Sequence, residues 1–179
     1  MSKFPVGLMF VMTTQLLVAS LTAPVPVSSK GETVVSSRLG NLAIEARIRT
    51  HELPNGTAAS PVKPTDSACT MSRVPCSIVD GLDIAIAGEP IFVPRSAFAD
   101  LADLSSAKLA IEHGKYVLVL VGGDASESYV VRIAFGRRHV TYRSLTSGEF
   151  PEHPLQETIY HLNRLGLSVL IRVNPWPGS

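Results

Sequence analysis

The chain lacks an excess of charge of either sign. Its 179 residues carry 16 lysines and arginines against 15 aspartates and glutamates. Lys3 is the only charged residue before Lys30, so removal of an N-terminal leader would bring the formal net charge from +1 to 0. Nucleic-acid binding needs a surplus of basic side chains that neutralises phosphates. We therefore expect no nucleic-acid partner.

The chain also lacks the common catalytic and metal-binding motifs. There is no G-x-S-x-G sequence, and the S-x-x-K match at Ser105–Lys108 stands without its companion elements. No histidine belongs to an H-E-x-x-H pattern or to another tight ligand pair. We therefore predict no metal and no cofactor, and we favour binding over catalysis. The histidines stand apart from one another at positions 51, 113, 139, 153 and 161.

Cysteine is scarce as well. The only two, Cys69 and Cys76, lie seven positions apart in the stretch CTMSRVPC. Their spacing differs from C-x-x-C, and a zinc site would need more thiols or nearby histidines. In an oxidising compartment two such cysteines close a small ring. The sequence therefore predicts a Cys69–Cys76 disulfide in an exported protein.

Only one hydrophobic run exceeds the length of a strand, and it lies at the N-terminus. Lys3 is followed by an apolar region from Val6 to Leu21 and by small residues up to Ala23. This order is typical of a cleaved signal peptide over residues 1–23, with cleavage near Ser20 as an alternative site. A membrane anchor is the competing interpretation, although the run is short and polar in its middle. We predict a periplasmic or extracellular protein with no stable membrane insertion after cleavage.

Composition divides the rest of the chain. Residues 24–37 are rich in proline, serine and valine without periodicity, which predicts a flexible linker. Residues 38–179 have the length of a single domain. Within that domain, residues 51–67 contain three prolines and an Asn-Gly pair, which predicts an irregular loop.

Periodicity within the domain predicts an α+β fold. Apolar residues alternate with charged ones over 42–48, as in a half-buried strand. Similar strands and turns recur to the C-terminus, so we expect a mostly antiparallel, meander-like sheet of six to eight strands. Residues 95–106 change period, because Phe98, Leu101 and Leu104 recur at helical spacing. This predicts one short helix packed on the sheet, with Asp100 and Asp103 on its solvated face.

Several turns and one central strand are predicted more closely. In YVLVLV, residues 116–121, both faces are apolar, which is typical of a strand covered on both sides. Turns are expected at Gly88-Glu89, His113-Gly114 and Gly136-Arg137. The tail over 155–173 fits either a helix or strands, and we favour two strands around residues 163–166.

The stretch GGDASESY, residues 122–129, is a candidate binding loop. Asp124 and Glu127 supply carboxylates, and Ser126 and Ser128 supply hydroxyls, between two apolar strands. Binding residues often lie on such loops. The alternative is a turn in which the glycines end one strand and Asp124 and Ser126 hydrogen-bond the turning backbone.

Two arginines on neighbouring strands form a second candidate. If the strands pair about the Gly136-Arg137 turn, Arg132 and Arg143 lie nearly opposite each other. Like charges in that position are destabilising unless an acid or an anionic ligand lies between them. Glu127 or Asp124 could supply the acid. An interior salt-bridge cluster and an anion-binding patch are both open.

These observations favour an exported domain that acts by binding, in an accessory, inhibitor-like or immunity-like role, with a protein or a small anionic ligand as its partner. The candidate site residues are Asp124, Glu127, Arg132 and Arg143. One alternative is a hydrolase in which His139 or His161 acts as base beside Ser126 or Asp124. Another is a structural component of the cell envelope, which predicts extended apolar surface and self-association.

Overall fold

The fold is known from a computed structural model, which describes residues 19–20, 23–39, 41–53, 69, 75–163 and 166–174. Two antiparallel β-sheets account for nearly all of its regular structure, with eight strands in one sheet and four in the other. The prediction of a mostly antiparallel β protein is confirmed. The strands form two sheets instead of the single sheet expected, and they are more numerous than the six to eight expected.

The twelve strands are numbered in chain order. They are β1 Ala19–Ser20, β2 Val25–Pro26, β3 Gly31–Leu39, β4 Leu42–Glu52, β5 Ser77–Ile86, β6 Glu89–Pro90, β7 Leu104–Glu112, β8 Lys115–Gly122, β9 Tyr129–Phe135, β10 Val140–Ser147, β11 Pro154–Asn163 and β12 Gly166–Val173.

The large sheet is a meander. Strands β7 to β12 each pair antiparallel with the next, and β1 and β2 pair with the free side of β7. The small sheet has the order β3-β4-β5-β6. The tail forms the two strands β11 and β12, as favoured from the sequence, and Leu162 pairs with Leu167 and Asn163 with Gly166.

One hydrophobic core lies between the two sheets. Alternating residues of β4, such as Ile44 and Ile48, are buried there against residues of β8 and β9, such as Leu118 and Ile133. We call the face of the large sheet that carries Leu118 and Ile133 its inner face. Because strand side chains alternate, the remaining residues of each strand point to an outer face.

The central strand β8 is covered on both faces, as its sequence predicts. Leu118 and Leu120 belong to the main core, whereas Val117 and Val119 are buried on the outer face with Ala110 and Ala134. The turn after β7 also agrees with the prediction. His113 and Gly114 have φ values of 51° and 74°, as a type I′ hairpin requires.

The turn before β6 is shifted by one residue from its predicted position. Ile86 pairs with Glu89, so the two turn residues are Ala87 and Gly88, with φ values of 54° and 83°.

The helix predicted over residues 95–106 is wrong. Arg95–Ala97 form a single 3-10 turn, and Leu104 already begins β7. Backbone groups that a longer helix would use are taken by tertiary partners, because Leu101 O accepts from Val79 N at 3.0 Å and Asp103 N donates to Ser77 O at 2.6 Å. The apolar side chains of this segment are still buried in the core. Their helical spacing therefore arises from consecutive turns that bury them.

The N-terminal predictions meet the structure only in part. Residues 1–18 of the predicted signal peptide lie outside the described residues, while Ala19 and Ser20 pair with β7. Much of the predicted linker over 24–37 is sheet, because it contains β2 and most of β3. Thr33 and Val35 point into the core, and this alternation gives β3 a buried face.

The predicted disulfide is present between Cys69 and Cys76, with their Cα atoms 5.7 Å apart. Residues 54–67 of the predicted loop lie outside the described residues, and positions 51 and 52 belong to β4. In the part of the chain that the structure describes, no helix has the length and apolarity needed to cross a membrane.

Candidate functional site

An ion pair with a buried arginine lies at the inner face of β10. Arg143 is 1% exposed, and its Nη2 donates to both carboxylate oxygens of Asp100 at 2.8 and 2.6 Å. Its Nη1 donates to Gln156 Oε1 at 3.2 Å, while its Nε has no acceptor among the described residues. A guanidinium removed from water depends strongly on such partners. The Asp100 side chain is more accessible, at 38%.

A β-bulge accounts for the inward position of Arg143. Phe135 pairs with Val140, but the next pair is Ala134 with Tyr142, so Thr141 is an extra residue in β10. One extra residue exchanges the two faces for the rest of the strand. Arg143 therefore lies opposite Ile133, on the inner face.

The predicted juxtaposition of Arg132 and Arg143 is therefore wrong. Arg132 lies opposite Ser144, on the outer face, and its Nε is 3.5 Å from Glu112 Oε1. Arg143 pairs with Asp100 and Arg132 pairs with Glu112, so these two acids have the role that was proposed for Asp124 or Glu127. The two guanidiniums do not form a common anion-binding patch, and of the two alternatives left open, Arg143 fits the interior salt bridge.

The stretch 122–129 has a clear structural role. Asp124 precedes a 3-10 turn at Ala125–Glu127, and both acids are exposed. Gly123 has a φ of 73°, and a Cβ atom there would collide with the Glu127 backbone. A Cβ atom on Gly122 would collide with the Tyr129 ring. The two glycines are thus required by the close packing of this turn.

Tyr129 connects the end of this loop, through hydrogen bonds, to the segment that contains Asp100. Its hydroxyl donates to Ala102 O and accepts from Ala102 N at 3.1 Å. Burial raises the pKa of the Tyr129 phenol, so it remains a neutral donor. Asp103 adds a second connection, because its backbone oxygen accepts from Gly123 N at 3.1 Å.

These connections create a cleft of about 230 Å³ between the loop, the Asp100 segment and the ends of β10 and β11. We call its apolar lining the floor, which consists of Leu101, Leu145, Leu155 and the Tyr129 ring. We call its polar lining the rim, which has two carboxylates and three hydroxyls. The rim residues are Asp100, Ser126, Glu127, Ser128 and Ser147.

A second depression, of about 360 Å³, lies on the other side of Asp100. Arg143, Gln156 and Thr158 line it from the large sheet, and Ser96 lines it from the segment above. Asp100 lines both spaces, so the ion pair separates two neighbouring hollows at the inner face of β10 and β11.

The candidate bases of the hydrolase hypothesis lie far from the loop. His139 follows β9, whereas Ser126 precedes it, and seven residues at about 3.3 Å each separate them by about 20 Å. His161 lies near the same end as His139, because Ile159 pairs with Tyr142. The geometry therefore offers no base beside Ser126 or Asp124 from these two histidines.

Among the described residues, one group of potential metal ligands is clustered. Its members are Cys69, Cys76 and Asp103. Both sulfurs are joined in the disulfide, and a disulfide has no thiolate to offer a metal. The cluster instead places the disulfide beside the buried Asp103 carboxylate, whose Oδ1 accepts from Ser77 N at 2.9 Å.

Comparison with known proteins adds no assignment. No protein-family model, curated protein or solved structure matches this chain. The function is therefore argued from the geometry of the site.

Sequence reasoning identified the loop and Arg143 but missed Asp100 as the partner of that arginine. Asp100 and Arg143 are 43 positions apart, and local spacing assigned Asp100 to a solvated helix face. Gln156 and Tyr129 were missed as site residues for a similar reason, since each looks like an ordinary strand residue. The one usable signal was the position of Arg143 inside a strand, because an arginine that is buried there needs an acid.

Proposed function

We propose that this protein is an exported domain that acts by binding another protein at the cleft beside the 126–129 loop. The observation that carries the proposal is that separate segments of the chain meet at this cleft. Three segments distant in the sequence, around Asp100, Ser126 and Leu145, join there to form an apolar floor with a polar rim. Concave apolar sites with a few placed polar groups are typical of binding sites.

The chemistry of the rim favours a partner group that donates hydrogen bonds. Glu127 supplies carboxylate oxygens and Ser126 supplies a hydroxyl, while the Asp100 carboxylate is shared with Arg143. The Arg143 guanidinium is already engaged by Asp100, so the cleft has little to attract an anion. A lysine or arginine side chain of a partner protein fits best, since its aliphatic stem suits the leucine floor and its charge suits the rim.

The exported location rests on two supporting features. The small β domain contains a disulfide, which persists mainly in oxidising compartments. The N-terminal sequence has the order of a signal peptide. We propose cleavage near residue 23, and the intact mass of the exported protein tests it.

Two charge reversals on the same loop test the cleft. Glu127 lines it, whereas Asp124 is exposed on the loop without lining it. The exported protein, its Glu127→Lys variant and its Asp124→Lys variant are immobilised and exposed to an envelope extract, after thermal melts show that all three are folded. We expect the unmodified protein and Asp124→Lys to retain the same partner, and Glu127→Lys to weaken its binding at least about tenfold.

Two outcomes would contradict the proposal. Equal retention by all three proteins would place the binding surface away from the cleft. Absence of any partner at near-physiological salt would remove binding to an envelope protein as the function, and a panel of hydrolase substrates would then be the better experiment.

A further inference from the structure

The last strand of the large sheet is an edge strand. Among the described residues, β12 pairs with β11 alone. Its apolar side chains are exposed on both faces, with Ile171 at 53% on the inner face and Leu170 at 56% on the outer face. Arg172 is the only charged residue in the strand. A long apolar edge of this kind is a template for pairing with another strand.

Three other edge strands in the described part of the chain, β2, β3 and β6, are protected. β2 and β6 have two residues each, and each contains a proline, Pro26 or Pro90. β3 is long, but Glu32 and Arg38 lie along it, and Glu32 forms an ion pair with Arg47. Short strands, prolines and charges all prevent edge-to-edge pairing. Of the four edge strands compared, β12 alone lacks such protection.

We propose that β12 pairs antiparallel with β12 of a second copy of this chain, so that the two large sheets form one continuous sheet across a two-fold axis. Such an interface is isologous, because the same strand contributes both sides. Every second residue of β12 points its backbone N–H and C=O groups away from β11, and these groups supply the hydrogen bonds.

The sequence of β12 suits this symmetric pairing. With Leu170 on the axis, it faces its own counterpart, and Val169 faces Ile171 of the second copy. Arg172 then faces Ser168, so its positive charge meets no like charge across the axis. The register also keeps the inner-face residues of both copies on one face, because directly opposed residues share a face.

The contact is small, and this determines its expected strength. One strand from each copy buries less than the ~1,200 Å² that is typical of stable complexes. We therefore expect a dimer that dissociates on dilution through the micromolar range. The proposal is independent of the cleft, since no β12 residue lines the cleft.

A cysteine at the axis tests the register. Directly opposed residues of antiparallel strands have Cα atoms about 4.5–5.5 Å apart, within the range of a disulfide. Under oxidising conditions Leu170→Cys of the exported protein should yield a covalent dimer. The matched control is Val34→Cys on β3, which is 41% exposed on the charged edge. We expect the control to remain largely monomeric on non-reducing gels.

Sedimentation equilibrium over about 1–500 μM, spanning the weak-dimer range, supplies a measurement without cysteines. Leu170→Lys places two like charges on the axis and should raise the dimer Kd at least about tenfold. Val34→Lys should leave it unchanged.

Three results would overturn the proposal. The first is a wild-type protein that stays monomeric throughout, and the second is a Leu170→Cys protein that gives no more covalent dimer than Val34→Cys. The third is equal weakening by Leu170→Lys and Val34→Lys, which would place the interface elsewhere. None of these outcomes affects the binding proposed for the cleft, which the Glu127 and Asp124 variants test separately.

Discussion

The two halves of the inner face differ sharply. Under the small sheet, strands β7 to β9 present apolar residues such as Leu118 and Ile133, both 0% exposed. Over β10 and β11 the segment 91–103 lies above the sheet, and the inner face there contains Arg143, Gln156 and Thr158. At β12, Ile171 is about half exposed. The two hollows beside Asp100 lie where regular sheet packing ends.

This difference has a physical origin. A strand packed on another sheet meets mainly side chains, whose alternation supplies a continuous apolar surface. The 91–103 segment instead turns repeatedly, so its backbone and its Asp100 carboxylate face the sheet. An arginine can be buried below such a segment because it finds an acid there. Candidate binding surface and buried charge therefore occur together at the edge of the sandwich.

Ion pairs show the same contrast. The outer face of the small sheet has several exposed pairs, among them Arg49 with Asp83 and Arg47 with Glu45. Exposed pairs usually contribute well under about 1 kcal/mol each. Arg143 is buried, so loss of its partner exposes the full desolvation penalty of the guanidinium. The burial of an ion pair therefore decides how much its loss changes the free energy of unfolding.

The largest expected effect follows from removing Asp100. Asp100→Ala leaves Arg143 buried without its acid, and we expect a loss of about 3–5 kcal/mol in the free energy of unfolding, measured by urea denaturation. Arg143→Met should be less destabilising, because it leaves behind a carboxylate that is already 38% exposed.

Arg49→Ala serves as the exposed control, with an expected change below about 1 kcal/mol. Equal losses for Asp100→Ala and Arg49→Ala would contradict the distinction between the two kinds of pair.

Truncating one isoleucine in each half of the inner face compares how much each half contributes to the free energy of unfolding. Ile133 is 0% and Ile171 is 53% exposed, and both side chains lie on the inner face. Ile133→Ala should destabilise the fold by about 2–5 kcal/mol. Ile171→Ala should change the free energy of unfolding by less than about 1 kcal/mol in dilute solution, where chains are monomeric. Similar losses at both positions would mean that β12 is covered in solution.

The smallest expected effect is on stability at alkaline pH and comes from Tyr142, on the outer face of β10. Burial first, and then the hydrogen bond that Tyr142 donates to Glu157 at 2.6 Å, raise the pKa of Tyr142 to about 12. The neutral phenol thus stabilises the fold in full below pH ~10, the ordinary tyrosine pKa, and this contribution is lost as the pH rises from there to about 12.

Tyr142→Phe should therefore weaken the decrease in unfolding free energy between pH 10 and 12, measured by denaturation at several pH values. Burial also raises the pKa of Tyr129 and of Tyr160, so part of the decrease should remain. An unchanged slope would show that the Tyr142 phenol does not contribute to it.

Much of the fold was predictable because its signals are local. Alternation over 42–48 identified β4, and the Gly at position 114 marked a hairpin turn. The two-sided apolar run over 116–121 identified a covered strand, and the cysteine spacing identified the disulfide. Each of these features depends on neighbours within about ten residues, so the chain reveals them directly.

The candidate site was less predictable because it depends on distant partners. The loop over 122–129 was recognisable, since its glycines and acids lie together in the sequence. Its connection to Asp100 through Tyr129 and Ala102 was not. The helix predicted over 95–106 failed for the same reason, because strand β5 supplies the partners for its backbone at Val79 and Ser77.

The sequence by itself determined most of the strands from β4 onward, the His113-Gly114 turn and the disulfide, because alternation, turn residues and cysteine spacing act over short distances. Only the tertiary structure decided which face Arg143 occupies. That choice depends on one extra residue, Thr141, which no local pattern marks and which moves the guanidinium from solvent into the core. The tertiary structure likewise decided which edge stays open, since exposure depends on how far the small sheet and the 91–103 segment extend.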